Sequence, residues 1–232
     1  MKNNTLEHDG LVRLTQFLSV ETAQRLAGVA QLGMNLFADR EKRHRTGGEY
    51  GEAELCGSYD GWRGLGLGAL MEYMGDSPER AALGGAAAEA VAAVQSFLGS
   101  KASFLPSYSF FRQVSGAAGG VGWHCDAEAA SLMAVGKSCC TVWLPLSPVG
   151  NGLPSLEFVP GSHKIMRGRG DLALCNHRSV QEVDQLALRK RYVPIIDPIG
   201  DAILFDMYTL HRTQPLETIT PRLNCEFRFK LD

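Results

Sequence analysis

From Glu21 to about Phe37 the apolar positions Leu26, Val29, Ala30, Leu32, Gly33 and Leu36 recur at steps of three and four, the period of a helix with one buried face. A second helix is marked at both ends. Ser77 can cap it, Pro78 sits at the first helical position, Glu79 faces the positive end of the backbone dipole, and Gly99 follows an Ala-rich stretch ending at Phe97-Leu98. Between these helices the charged run Glu41-Lys42-Arg43-His44-Arg45 and Gly47-Gly48 read as a solvated helix end and loop. Arg63-Gly64-Leu65-Gly66-Leu67-Gly68-Ala69-Leu70 lacks the last glycine of a phosphate-cradling loop and reads as a tight or flexible turn.

After residue 100 the texture changes. Runs rich in Val, Phe, Tyr, Trp and Thr alternate with Gly, Pro and Asn breaks: Tyr108–Val114, Ser138–Leu146, Leu156–Val159, Tyr192–Ile195, Asp201–Asp206 and Leu223–Lys230. Short strands at this spacing predict an antiparallel barrel or two-sheet roll. Helices first and strands afterwards predict an α+β chain forming a single domain over 1–232. Residues 1–100 are expected to be a mainly helical buttress and 101–232 to hold most of the roll.

A length of 232 residues with 45% hydrophobic and 21% charged residues suits one globular domain and excludes a disordered or coiled-coil chain. The formal charge of -2 offers no positive field for a polyanion, so nucleic acid is not the expected partner. Met1 to Asp9 contain no apolar core of a secretion signal, and no unbroken apolar run reaches the ~18 residues of a membrane span. The six cysteines form no CxxC pair and are expected as reduced, mostly buried thiols in a cytoplasmic protein.

The informative triplet is His124-Cys125-Asp126. In an extended chain His124 and Asp126 share a face while Cys125 turns away. An imidazole and a carboxylate side by side offer two ligands to a divalent transition metal, and a third must come from elsewhere in the fold. His211, after the buried run Asp201–Asp206, is the candidate. Two imidazoles and a carboxylate with open positions form the facial triad of non-heme Fe(II) oxygenases. Arg222, eleven residues beyond His211, can hold a carboxylate by a bidentate pair. The metal and this cation together suit a keto-diacid.

Val142-Trp143-Leu144-Pro145-Leu146, Asn151-Gly152 and Leu156-Glu157-Phe158-Val159-Pro160-Gly161-Ser162-His163-Lys164 stand between the His-x-Asp and the His…Arg pair. This order, over roughly residues 104 to 230, resembles the phytanoyl-CoA dioxygenase family of Fe(II)- and 2-oxoglutarate-dependent oxygenases. The resemblance implies a double-stranded β-helix of the jelly-roll or cupin type. It implies His124, Asp126 and His211 as iron ligands, with Arg222 anchoring the far carboxylate of 2-oxoglutarate. Thr213 matches a place where the family often has a hydroxyl near that carboxylate, and Thr141 is expected to line the same pocket. Arg112 is expected to meet the co-substrate or an acidic substrate, and Trp143 is a core aromatic that can also serve as a substrate platform. The implied reaction consumes O2 and 2-oxoglutarate, releases succinate and CO2, and oxidises a small molecule, with hydroxylation as the default.

Gln214-Pro215-Leu216 stands where many relatives have an Asn, and the N-terminal hundred residues match no motif. His163 reads as a turn residue, His177 as a surface residue and substitute ligand, and Arg169-Gly170-Asp171 as a chance tripeptide. Arg189-Lys190-Arg191 reads as an exposed basic turn. Two other readings stay open: a non-catalytic ligand-binding roll, and a cupin-type metalloenzyme that uses no 2-oxoglutarate, for which Arg222 would have no purpose.

Overall fold

A computed structural model describes residues 3–37, 56–59, 62–99, 102–115, 121–168, 190–216 and 220–231. The helices are α1 (Asn3–Asp9), α2 (Val20–Phe37), α3 (Leu67–Tyr73), α4 (Pro78–Leu98), α5 (Ala130–Val135) and α6 (Ser162–Arg167). The strands are β1 (Leu11–Leu14), β2 (Cys56–Tyr59), β3 (Trp62–Gly66), β4 (Ala102–Phe104), β5 (Phe110–Val114), β6 (Cys139–Pro145), β7 (Leu156–Phe158), β8 (Ala202–Asp206), β9 (His211–Thr213) and β10 (Arg222–Leu231).

Both helices expected from the pattern form where the capping residues place them. Ser19 Oγ accepts from Thr22 N at the start of α2. Ser77 Oγ accepts from Arg80 N at the start of α4, which ends at Gly99 in the left-handed conformation. At 21 residues α4 is long and apolar enough to match a membrane span by length and composition. Here it turns Leu83, Ala86, Ala87, Ala90 and Val94 into the core.

The strands make an antiparallel sheet in the order β1-β8-β6-β10-β5-β3-β2, with β4 also paired to β10, and a two-stranded sheet β7-β9. Long β10 organises the large sheet. One edge pairs with β6 throughout, and the other pairs first with β5 and then with β4. The outer face carries Val142, Leu144, Leu204, Phe111, Phe227 and Phe229 against Leu26, Met34, Ala90 and Val94 of α2 and α4. On the inner face Trp143, Ile203 and Phe205 pack against Leu156 and Phe158 of the small sheet. Two sheets closed over one interior, with helices on one side, are the expected α+β double-stranded β-helix. Cys139 and Cys140 enter different apolar clusters, as neighbours on a strand must, and the four described free cysteines are buried.

The first hundred residues supply β1, β2 and β3 to the sheet as well as helices: β1 lies along β8, and β3 lies along β5. Two expectations are corrected. Arg63–Leu70 is not a loop but β3 running into α3, since sheet pairing outweighs the low strand tendency of glycine when Leu65 is fully buried. Tyr192–Ile195 is not a strand; Tyr192 makes a single bridge to Phe158, and Ile196 one to Val149. Short β4 and β9 were too brief to stand out as periodic runs. The charged run 41–45, His177 and 169–171 lie outside the described residues.

Candidate metal centre

His124, Asp126 and His211 come together although two chain segments separated by more than eighty residues supply them. Their ligand atoms all lie within 4.8 Å of one another. A backbone bridge makes the meeting: His124 N donates to His211 O at 3.0 Å, and His211 N returns the bond to His124 O at 2.9 Å. The chain at Cys125 is extended, and the Cys125 side chain leaves for a cluster with Trp123, Met207 and Leu210. Asp126 then opens a 3-10 turn, Asp126–Glu128, in which the Glu128 carboxylate accepts from Cys125 N.

Each imidazole is oriented from behind. His124 Nδ1 lies 2.8 Å from Gly122 O, and His211 Nδ1 lies 2.9 Å from Thr209 O. A carbonyl only accepts, so both Nδ1 atoms carry the proton and both Nε2 lone pairs are left for a cation. Burial holds both rings below the ordinary histidine value, which keeps them neutral and able to ligate. The His211 ring packs 4.8 Å from Phe205 and 4.2 Å from His124 between ring centres. Burial alone would push the Asp126 carboxyl up. Arg228, the two imidazoles and the Thr141 hydroxyl overcome this and hold it well below the ordinary carboxylate range.

The inner face of β10 carries Arg222, Asn224, Glu226 and Arg228, all buried, while Leu223, Cys225, Phe227 and Phe229 point toward the helices. Arg228 donates to Asp126 Oδ1 at 3.2 Å, to Glu226 Oε2 at 3.3 Å and to Tyr108 O at 2.7 Å. Arg112 on β5 stands opposite Asn224 and pairs with Glu226 at 3.4 Å. Thr141 on β6 donates to Asp126 Oδ2 at 2.5 Å, so its hydroxyl serves the carboxylate of the triplet.

Arg222 begins β10 and is 1% exposed. Its guanidinium reaches Pro154 O and Ser155 O at 3.3 and 3.4 Å, distances at the long end of a hydrogen bond, and lies 5.7 Å from the Trp143 ring centre. Thr213 pairs with Leu156, the residue after Ser155, and its hydroxyl accepts from Val121 N. Burial, with Arg112 nearby, lowers Arg222 to about 10, so it stays charged at neutral pH. Arg222 Nε, Trp143 Nε1 and Asn224 Oδ1 are buried and meet no hydrogen-bond partner among the described residues. An indole N–H and a cation with one idle N–H are expensive to bury side by side unless something binds them. An anionic diacid fits that lining, and the two imidazoles with a carboxylate fit a first-row divalent metal.

Sequence reasoning did not pick out Asn224, Glu226 and Arg228. The signal was present as the alternation Arg222-Leu-Asn-Cys-Glu-Phe-Arg-Phe, but it leaves open which face is inside. His163 is buried in α6 with Nε2 against Glu7 O. It is not part of the ligand group.

The phytanoyl-CoA dioxygenase (PhyH) family profile matches residues 6–223. The chain belongs to this family. It is therefore an Fe(II)- and 2-oxoglutarate-dependent oxygenase, and the match from residue 6 brings in the N-terminal hundred residues that no motif had assigned. No curated relative matches the sequence. Among solved structures, the nogalamycin-biosynthesis carbocyclase SnoK, described as non-heme and alpha-ketoglutarate dependent, superposes with a TM-score of 0.65 at 14% identity, covering 99% of this chain and 82% of that one. EctD from S. alaskensis, with 2-oxoglutarate and 5-hydroxyectoine, gives 0.63 at 20%, covering 98% and 74%. AviO1 from Streptomyces viridochromogenes Tue57 gives 0.62 at 18%, covering 99% and 95%. At these identities the likeness is one of fold.

Proposed function

We infer that this oxygenase hydroxylates a small-molecule metabolite or natural-product intermediate, with His124, Asp126 and His211 holding Fe(II) and Arg222 anchoring 2-oxoglutarate. The reading is carried by one observation: the three-ligand cluster shares the inner face of the roll with the buried Arg222 Nε and the buried Trp143 indole N–H, neither of which meets a partner among the described residues. When bound, iron and 2-oxoglutarate supply the oxidising power, turning substrate, O2 and 2-oxoglutarate into hydroxylated product, succinate and CO2.

The protein's own residues bind and orient. Neutral His124 and His211 present Nε2 without first losing a proton, and Asp126 offsets part of the metal charge. Arg222 and Trp143 Nε1 supply the charge and the spare donors for the far carboxylate of the co-substrate, and Thr213 is assigned a hydroxyl contact to the same carboxylate. Phe158, Phe205 and Trp143 line the interior with apolar surface that keeps water from the reacting groups. Arg112, held by Glu226, offers a cation to the co-substrate or to an acidic group of the substrate. The filled Asp126 position leaves no place for a halide ligand, which favours hydroxylation over halogenation. The EctD structure holds 2-oxoglutarate with the small molecule 5-hydroxyectoine, and SnoK is named as a carbocyclase of nogalamycin biosynthesis, which supports a small-molecule substrate here.

The test is succinate release by the iron-loaded protein over a panel of small metabolites. Succinate should form only with iron, 2-oxoglutarate and O2 all present, and Asp126→Ala should reduce it to background. Turnover retained in Asp126→Ala would refute this ligand set.

A further inference from the structure

Asp126 is held at both of its oxygens. Thr141, fully buried on β6, donates to Oδ2 at 2.5 Å, and Arg228, its cross-strand partner on β10, donates to Oδ1 at 3.2 Å. Arg228 cannot easily follow a moving carboxylate, since Tyr108 O and Glu226 grip it as well, and Asn224 and Arg112 contact Glu226 in turn. The two oxygens are not equivalent with respect to the imidazoles. Oδ1 lies 3.8 Å from His211 Nε2, while Oδ2 is the oxygen turned to the threonine.

We propose that Thr141 is a positioning residue that restricts Asp126 to one-oxygen coordination, with Oδ1 as the ligand atom and Oδ2 kept on the Thr141 hydroxyl. This rests on the assignment of the triplet as the metal centre. Two imidazoles and one carboxylate oxygen would leave a divalent metal open positions for the co-substrate and O2. A carboxylate that chelates through both oxygens takes one of these away. The side chain of an aspartate permits either mode, and with Asp126 and Thr141 both buried the Thr141 hydroxyl is the donor that Oδ2 meets. Thr141 is therefore a determinant of co-substrate access without touching the co-substrate.

Thr141→Val keeps the branched shape and removes only the donor. Two measurements on the metal-stripped protein read the effect: Mn(II) affinity from the free-ion EPR signal, and 2-oxoglutarate affinity of the Mn(II)-loaded protein by calorimetry. Freed to chelate, Asp126 should bind Mn(II) at least threefold more tightly in Thr141→Val. 2-Oxoglutarate should then bind at least tenfold more weakly, and Thr141→Ser should restore both values. The opposite signs matter, because a site merely loosened by the substitution weakens both. Unchanged or weaker Mn(II) binding in Thr141→Val overturns the proposal, whatever 2-oxoglutarate does. If that variant does not fold, Thr141→Ala is read by the same criteria. Undiminished Mn(II) binding in Asp126→Ala would instead sink the assignment of the triplet as the metal centre, which separates that failure from a failure of the Thr141 role.

Discussion

Arg222 is the residue whose surroundings make least sense without a ligand. A guanidinium at 1% exposure, with two long bonds to carbonyls and an unpartnered Nε, has been taken from water without full compensation. A bidentate carboxylate would complete it and also answer the indole N–H of Trp143. Truncation to Arg222→Ala should raise the apparent KM for 2-oxoglutarate roughly 100-fold, corresponding to ~3 kcal/mol for a desolvated charge pair. The effect on kcat at saturation should be much smaller. Steady-state succinate release measures both, and an unchanged KM would remove Arg222 from that role. Arg112 has a different standing. Its contact with Glu226 and its packing over Phe110 give it a structural occupation already.

At the scale of elements, β10 inverts the usual rule for a two-faced strand. Its polar positions face the interior and its apolar positions face the helices, because inside the roll it lines the site while its other face meets the larger apolar core against α2 and α4. Asn224, Glu226 and Arg228 stay buried there because they pair among themselves and with Asp126, Arg112 and Tyr108, whereas Arg222 meets only the carbonyls of Pro154 and Ser155. The outermost strand of the large sheet is secured differently. Gly10, at φ +76, ends α1 and lets β1 turn onto β8, and its carbonyl accepts from Asp206 N and Thr209 Oγ1. A side chain at this position would run into the buried His163 imidazole and come within 2.6 Å of Thr209 Oγ1. Gly10→Ala should therefore cost about 2 kcal/mol or more, from the left-handed backbone and the crowding together. Urea denaturation checks this, and a loss below about 0.5 kcal/mol would mean that β1 is not tightly docked.

For the whole molecule the buried titratable groups set how stability depends on pH. His124 and His211 are held below the ordinary 6.5, so the unfolded chain takes up protons there before the folded one does. The metal-free protein should lose stability as pH falls from about 7 through 6.5. Glu128 opposes this slope. Burial raises its carboxyl from 4.5 to about 7, so its contribution is present at low pH and lost as pH rises through that window. Glu128→Gln removes the opposing slope and keeps an acceptor for Cys125 N. Denaturation midpoints of the metal-free variant should fall more steeply between pH 7 and 5 than those of the parent protein. A shallower fall would contradict the balance described.

Much of this was legible from the chain. Ser77, Pro78 and Gly99 delimit α4 through local chemistry, since caps and backbone preferences act within a few residues. The strand runs from Tyr108, Ser138, Leu156, Asp201 and Leu223 all contain observed strands, because alternation and β-branched side chains are equally local signals. The residue types of the ligand cluster and their order with Arg222 also stand in the sequence. What local signals could not supply was direction and company. Trp62–Gly66 is a strand because β5 and β2 pair with it on either side, and Tyr192–Ile195 is not one because it meets a neighbour only by a single bridge at Tyr192. The alternation of β10 could not say which face was inside. Thr141, a plausible co-substrate contact from its position, bonds to Asp126 only because closure of the roll brings β6 beside the 3-10 turn. The sequence by itself determined the chemical inventory, the helix limits and most strands, since these follow from properties of neighbouring residues. Only the tertiary structure decided which polar groups are buried together and which were left for a ligand, since that depends on contacts between segments far apart in the chain.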